Sequence, residues 1–428
     1  MEQQKPQDHF YLSFLTFCFL GLAVSMPYSA VMNSQDTFKD RLKDVAPAFL
    51  THYTSVHLTS RFLFTTLVMI LSGDEADPLG RLRLKQAMGI GVVSLGMISI
   101  ILMFIAGKSD FTGTPLLITL LVSALATSVT SSVVEAGAYS IASAFPPMIM
   151  QSLFVGSSIA SSISSLLAFL LAFLFDDKDR QTTLGRDLFT WINFASSLLI
   201  VIVAVILWFV CQQTDFYKYY REHQHHEEHP EQNEDKTQGS GLFKVFMRTG
   251  DLILFAFLMG VTNMVIWPLI PSLTVSVNEG SPTRSWWQGH LFSRIAFLLS
   301  AVFNLVGKLL PSLVFRSNIP FVPLALARFI LVLAFMMGNL KMTNRRVLIE
   351  PLLANDLVYF FLIIASSMAG GYLQTVAGMH APQRFKSGAD RALATKLIVF
   401  FTYYGDLVGV LIALFVSFLM KTVLSVPA

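Results

Sequence analysis

The chain has 428 residues, of which 54% are hydrophobic and only 13% are charged, and its formal net charge is +3. Soluble proteins carry about 25% charged residues, so this composition excludes an ordinary soluble domain. So small a net charge gives no indication of a nucleic-acid partner, which would require a strongly basic surface.

Eleven apolar stretches, each long enough to cross a bilayer, follow one another along the chain. A helix rises ~1.5 Å per residue, so roughly 20 apolar residues cross the hydrocarbon core. The stretches are too long for barrel strands, which leaves helices as the spanning structure. The predicted spans are Phe14–Met32, Phe49–Leu71, Gln86–Ile105, Leu116–Ala144, Met148–Phe175, Leu188–Val210, Val245–Leu269, Gly289–Leu310, Val322–Leu340, Leu357–Met379 and Ala394–Met420. The sequence therefore predicts an all-α polytopic membrane protein with eleven transmembrane helices.

A polar segment, residues 212–241, separates the sixth predicted span from the seventh. Its many charged residues and its Gly239-Ser240-Gly241 end cannot form a buried core, so we expect a flexible cytoplasmic linker. It would join an N-terminal half (1–211, six spans) to a C-terminal half (242–428, five spans). The histidines of the segment, His223, His225, His226 and His229, are irregularly spaced, which favours a solvated loop over a metal site.

Basic residues between the spans indicate the orientation, because cytoplasmic loops carry an excess of Lys and Arg. The segments that we place inside hold Arg81, Arg83, Lys85, Lys218, Arg221, Lys236, Arg384, Lys386 and Arg391. The opposite side carries fewer: Lys39, Arg41, Lys43, Lys341, Arg345 and Arg346. We therefore expect a cytoplasmic N-terminus and, with an odd number of spans, an extracellular C-terminus, in the plasma membrane.

Ionisable side chains inside the predicted spans indicate a function, since each costs roughly 2.5–3.5 kcal/mol at the centre of a membrane helix. They are Arg61, Glu135, Arg294, Arg328 and Asp406, with His57 and Lys308 nearer the span ends. We expect Arg61, Arg294 and Lys308 to extend to the membrane interface. Glu135 and Asp406 are expected to face the interior of the helix bundle.

Small residues are frequent in the fourth and fifth predicted spans, where serine, alanine and glycine alternate over several turns. Such residues let helix backbones approach closely in a membrane, so tight packing explains them. The alternative is that these two helices also line a polar cavity, in which the serines face water or substrate.

No sequence pattern indicates an enzyme or an ATPase. Gly107-Lys108-Ser109 resembles the end of a phosphate-binding loop, but Leu102 stands where that motif requires its first glycine. The H-E-x-x-H pattern of zinc proteases and the G-x-S-x-G nucleophile turn are both absent from the sequence. We therefore expect no catalytic residue, no metal and no cofactor.

Several motifs, in chain order, resemble the equilibrative nucleoside transporter family. They are Gly21-Leu22 with Pro27-Tyr28-Ser29 in the first span, Ala144-Phe145-Pro146 after the fourth, Ile270–Val275 after the seventh, Leu326-Ala327-Arg328 with Asn339 in the ninth, and Asp356, Tyr359-Phe360-Phe361 and Gly371-Tyr372-Leu373 in the tenth. Tyr28 and Ser29 replace the usual Trp and Asn of the first motif. The resemblance covers nearly the whole chain.

The resemblance implies positions for the substrate and also reveals departures from the family. In the family's eighth span a D-x-x-G-R pattern holds the sugar hydroxyls, whereas this chain has Asn304 and Lys308 in those two places. Lys does not reproduce the forked geometry of Arg, so sugar recognition is expected to differ. The family's glutamine that faces the nucleobase falls at or near Glu135. Tyr28 and Met32 would lie near the extracellular mouth.

The fold implied by the resemblance is a 6+5 bundle similar to the major facilitator arrangement, with substrate bound between the halves and alternating access by rocking. The implied function is transport of purine nucleosides or nucleobases, either facilitative or linked to protons. Arg328, Asp356 and Asp406 would be gating or structural residues. A carrier of another small polar solute and a non-transporting receptor or scaffold stay open.

Glu135 is the residue on which proton linkage depends at this point. A carboxyl group in an apolar bundle can take up a proton on one side of the membrane and release it on the other. One alternative is that Glu135 stays neutral or pairs with a basic residue and only hydrogen-bonds the base; the other is that it serves helix packing.

Overall fold

The computed structural model of the chain describes residues 6, 8, 11–46, 49–71, 78–108, 110–174, 183–226, 241–266, 290–314, 319–336, 345–347, 355–422 and 425–427. The first helices are α1 (Leu12–Asn33), α2 (Gln35–Leu42), α3 (Phe49–Leu71), α4 (Pro78–Gly107), α5 (Gly113–Ala142), α6 (Pro147–Leu174), α7 (Thr183–Cys211) and α8 (Asp215–His226). The later helices are α9 (Gly241–Arg248), α10 (Gly250–Ile266), α11 (His290–Leu309), α12 (Phe321–Met336), α13 (Asp356–Gln383) and α14 (Gly388–Thr422). A 3-10 turn, Leu310–Ser312, follows α11, and β1 (Arg345–Val347) pairs antiparallel with β2 (Ser425–Pro427).

The expectation of a multi-pass helical membrane protein is confirmed. Eight of the described helices are long and apolar enough to cross a bilayer, or nine if α9 and α10, which meet at an angle of 74°, form one span. The helices α3 and α12 are not among them. Each of the eleven predicted stretches overlaps a described helix, but the count of eleven spans stays a prediction.

The long helices pack in two sets with the same pairing pattern. In the first set α1 packs against α6, and α3 packs against α5; in the second, α10 packs against α14, and α11 against α13. In the first set predicted span 1 pairs with span 5 and span 2 with span 4. In the second set span 7 pairs with span 11 and span 8 with span 10, so each span number is higher by six. The sets meet where α6 contacts α11 and where α3 contacts α14. This repetition supports the 6+5 arrangement, which stays a prediction.

Glycine lies where paired helices approach most closely. A methyl group at Gly156 of α6 would overlap the carbonyl oxygen of Cys18 in α1, and one at Gly21 would overlap that of Leu153. Both helix pairs of the second set also have glycine at their close contacts. Gly260 and Gly405 lie where α10 meets α14, and Gly307 and Gly371 lie where α11 meets α13. Because lipid supplies no hydrophobic force between helices, close backbone contact is a main source of their association.

A helix that was not predicted, α8, occupies Asp215–His226 near the beginning of residues 212–241, and the role of this segment as a flexible cytoplasmic linker stays a prediction. Phe216 and Tyr217 of α8 pack against Phe145, so an apolar face lies within a polar composition. Residues 227–240 lie outside the described residues. So do the Ile270–Val275 motif, Asn339 and the predicted ends of the seventh and ninth spans.

We predict that Gly156→Ala destabilises the protein, because the added methyl group overlaps the backbone of α1. Overpacking of this kind costs about 1–3 kcal/mol, measured as thermal unfolding of the detergent-purified protein. Gly89→Ala is the matched control, since nothing lies within 4 Å of a methyl group there. Equal melting temperatures for the two variants would contradict the close crossing of α1 and α6.

Candidate substrate site

Three charged or polar side chains from three helices meet inside the bundle. Arg61 of α3 donates from Nη2 to Oε1 of Glu135 in α5, at 2.5 Å. Tyr403 of α14 donates its hydroxyl to the other carboxylate oxygen, Oε2. The Arg61 guanidinium also lies over the Tyr403 ring, 4.5 Å from its centroid. The Arg61 and Glu135 side chains are each only 12% exposed, so this is a buried ion pair.

A ladder of small polar side chains sets the Arg61–Glu135 register. His57, Arg61 and Thr65 follow one face of α3 at four-residue spacing. The Ser128 hydroxyl of α5 lies 2.8 Å from His57 Nδ1, and the Thr65 hydroxyl donates to Ser132 at 3.1 Å. These short side chains keep α3 close to α5 on both sides of Arg61. Glu135, one turn beyond Ser132, is thereby brought to the guanidinium.

A second polar group joins α11 to α6. Lys308 donates from Nζ to the Ser157 hydroxyl at 3.0 Å, and the Ser158 hydroxyl donates to Asn304 Oδ1 at 2.7 Å. Gln151 donates to the Lys308 carbonyl oxygen at 2.8 Å. Asn304 and Lys308 therefore point to the same neighbouring helix, as their four-residue spacing predicts.

A cavity connects the two polar groups. It is lined by Leu20, Gly21, Val24, Glu135, Ala138, Tyr139, Leu153 and Ser157, and it has room for about one water molecule. Glu135 belongs to the first polar group, and Ser157 holds Lys308 in the second. Sites for small molecules usually occupy roughly 300–1,000 Å³, so this cavity is too small to hold a nucleoside in this arrangement.

Tyr28 and Met32 lie beside the first polar group and do not line the cavity. The Tyr28 ring stacks on His57, with centroids 4.2 Å apart and an interplanar angle of 19°. The Thr54 hydroxyl lies 3.7 Å from the Met32 sulfur. Both residues belong to α1, and their side chains pack against α3.

The predicted gating or structural residues lie in three different places. Asp406 is 7% exposed, and it follows Tyr403 by three residues on α14, within electrostatic reach of Arg61. Arg328 is 5% exposed, and its Nη1 lies 2.9 Å from the Met259 sulfur. Among the described residues no carboxylate contacts Arg328. Asp356 begins α13, where a negative charge interacts favourably with the helix dipole.

The expectation that Arg61, Arg294 and Lys308 extend to the membrane interface is wrong. Arg294 and Lys308 are 9% and 6% exposed, and Arg61 is equally enclosed by its neighbours. For Arg61 and Lys308 the reason is a polar partner on the adjacent helix, which holds the charge inside. Two participants were not predicted from the sequence, Tyr403 and Gln151, whereas Ser157 is one of the fifth-span serines for which a cavity-lining role was the alternative. For Tyr403 the available signal was its position one turn before Asp406.

The comparison with known families settles the relationship. A sequence model described as Nucleoside transporter matches residues 121–418, more than half of the chain. The chain belongs to the nucleoside transporter family. The match includes Glu135, Asn304 and Lys308, whereas the Pro27-Tyr28-Ser29 motif lies before it. A comparison with curated protein sequences gives no match.

Solved structures place the fold among transporters. The structure of the major facilitator superfamily proton:xylose symporter XylE bound to 6-bromo-6-deoxy-D-glucose matches with TM-score 0.63 and 12% identity, covering 96% of this chain and 88% of that one. A mutant of the nucleoside transporter NupG matches with TM-score 0.51 and 14% identity, covering 96% of this chain and 93% of that one. At these identities the likeness shows the fold alone, which is a major-facilitator-like helical bundle.

We predict that Arg61→Gln lowers thermal stability far more than Arg384→Gln does. Removing Arg61 leaves Glu135 as a buried charge without its cation, which costs ~3–5 kcal/mol. Arg384 pairs with Asp251 in a contact whose side chains are 30% and 48% exposed, and such exposed pairs contribute under about 1 kcal/mol. The measurement is thermal unfolding of both purified variants. Similar losses would show that Arg61–Glu135 is not an enclosed pair.

Proposed function

We propose that this protein carries purine nucleosides, or their bases, across the membrane by alternating access. The observation that carries the proposal is a cavity lined both by Glu135 and by Ser157, the residue that accepts a hydrogen bond from Lys308. Membership in the nucleoside transporter family supports the substrate class. The same membership disfavours a receptor or scaffold without substrate.

The chemistry of the two polar groups suits the two parts of a nucleoside. Glu135 offers carboxylate oxygens to the N–H groups of a base. Asn304 can donate and accept hydrogen bonds, and Lys308 can donate, so both suit ribose hydroxyls. Ser157 and Ser158 already supply hydroxyl groups to Lys308 and Asn304, in positions where sugar hydroxyls would compete with them.

Movement of two halves would be needed to admit the substrate, since the cavity has room for only about one water molecule. We propose that 1–211 and 242–428 are those halves and that 212–241 joins them on the cytoplasmic side. The α6–α11 and α3–α14 contacts would then open in turn. Tyr28 and Met32 would lie toward the extracellular mouth, in a plasma-membrane protein whose N-terminus is cytoplasmic and whose C-terminus is extracellular.

The transport that we propose is facilitative. Arg61 neutralises Glu135 by direct contact at 2.5 Å, so a cation already occupies the place that a transported proton would take. Proton linkage through Glu135 is the alternative, and pH dependence of uptake distinguishes the two.

We predict that Lys308→Ala reduces nucleoside uptake more than nucleobase uptake, because the free base has no ribose hydroxyls to lose. A hydrogen bond to a charged group is worth roughly 1.5–3 kcal/mol, which corresponds to about a tenfold or greater loss. The measurement is uptake of tritiated purine nucleoside and base in yeast without nucleoside carriers of its own. Lys386→Ala, at an exposed position between α13 and α14, is the control. Equal loss for both substrates at normal surface expression would remove Lys308 from the sugar site.

We also predict that uptake by the wild-type protein is nearly constant from mildly acidic to mildly alkaline external pH. The reason is that the Arg61 guanidinium, which pairs with Glu135 in the empty protein, supplies the positive charge of the centre, so no transported proton is needed. Uptake is measured across that range for the wild type and for Glu135→Gln. Steep acid stimulation that disappears in Glu135→Gln would overturn the facilitative mechanism and support proton linkage.

A further inference from the structure

Both carboxylate oxygens of Glu135 already accept a hydrogen bond. Arg61 donates to Oε1, and Tyr403 donates to Oε2. Each oxygen keeps a second lone pair, but a nucleoside base that donates to both oxygens at once would compete with these two donors for the carboxylate. Substrate binding at Glu135 would then exchange its partners, a consequence that rests on the function proposed above.

Displacing Arg61 is costly unless another acceptor is within reach. Its side chain is 12% exposed, and its Nε is buried without a hydrogen-bond partner among the described residues. A buried guanidinium that loses its carboxylate is still desolvated, but no opposite charge then stabilises it. The lining of the cavity supplies no carboxylate other than Glu135.

Asp406 supplies the missing acceptor. It is 7% exposed, it lies within electrostatic reach of Arg61 and of Glu135, and no hydrogen bond reaches its carboxylate in the part of the chain that the structure describes. It lies three positions after Tyr403 on α14, so the two side chains lie on neighbouring positions of one helix face. The Tyr403 ring already lies against the Arg61 guanidinium.

We propose that Arg61 exchanges carboxylates during transport: Glu135 holds it in the empty closed state, and Asp406 holds it when a nucleoside base occupies Glu135. Arg61 and Asp406 are positioning residues in this scheme, and neither needs to touch the substrate. The charge of the centre is the same in both states, because one acid accepts the cation as the other accepts the base.

The exchange changes which helices are joined. In the empty state the ion pair lies between α3 and α5, which pack in the same set, and only the Tyr403 hydroxyl links Glu135 to α14. In the loaded state the ion pair would lie between α3 and α14, the place where the two sets meet. Loading would thus replace a hydrogen bond between the sets with an ion pair, and hold the loaded centre closed more strongly than the empty one.

The test uses the full-length protein purified in detergent, with equilibrium binding of a tritiated purine nucleoside and thermal unfolding without ligand. For Asp406→Asn we expect unfolding at the wild-type temperature or above, because Asp406 does not hold Arg61 in the empty state. Nucleoside binding should weaken by roughly tenfold or more, the effect of one lost charged hydrogen bond. Asp406→Glu, which keeps the carboxylate, should restore much of the binding. Asp390→Asn, near the other end of the same helix, should change neither property.

Three outcomes would overturn the exchange. They are unchanged binding in Asp406→Asn, no recovery in Asp406→Glu, and a loss of ligand-free stability that accounts for the weaker binding, since that marks a structural role. These results are distinguishable from failure of the proposed function. A wild-type protein that binds no nucleoside removes the function itself, whereas a wild-type protein that binds normally beside an unaffected Asp406→Asn removes only the exchange.

Discussion

The ion pair between Arg61 and Glu135 is the constraint on which the centre of this protein depends. Two opposite charges inside a membrane bundle stabilise each other when they are paired, and removing one partner of such a pair costs about 3–5 kcal/mol. The pair therefore fixes α3 against α5 and presents Glu135 to the cavity. Tyr403 extends the same network to α14, so a change in the hydrogen bonds of the Glu135 carboxylate alters contacts in both packing sets. Any substrate that uses Glu135 must act through this network.

Packing at the helix crossings provides the rigid frame around that pair. Glycines such as Gly156 and Gly405 bring backbones into direct contact within each set, and such contacts leave little freedom for a helix to shift alone. Between the sets, polar contacts such as Lys308 with Ser157 and Tyr403 with Glu135 lie beside aromatic contacts such as Phe62 with Phe400. If the sets move against each other, as the alternating access that we propose requires, these are the contacts that break and re-form.

The sequence predicts the helices far better than it predicts their polar partners. A long apolar stretch satisfies its backbone hydrogen bonds in lipid by forming a helix, so every predicted span overlaps a helix. Arg61 was misassigned because an arginine in a span can extend to the interface or pair inside, and only the neighbouring helix decides. Tyr403 carries no charge and has no distinctive motif, so its link to a residue 268 positions away appears only in three dimensions. The helix at residues 215–226 was not predicted for a related reason: the overall composition of the segment is polar, although one face of α8 is apolar.

The most direct test of the account is counterflow in liposomes that contain the purified protein. Vesicles are loaded with an unlabelled purine nucleoside, and entry of the tritiated nucleoside is followed without any pH or ion gradient. The account predicts saturable entry that internal nucleoside accelerates, because a facilitative carrier returns faster when its central site is loaded. Entry no faster than into protein-free vesicles, or entry that occurs only with an imposed proton gradient, would contradict it.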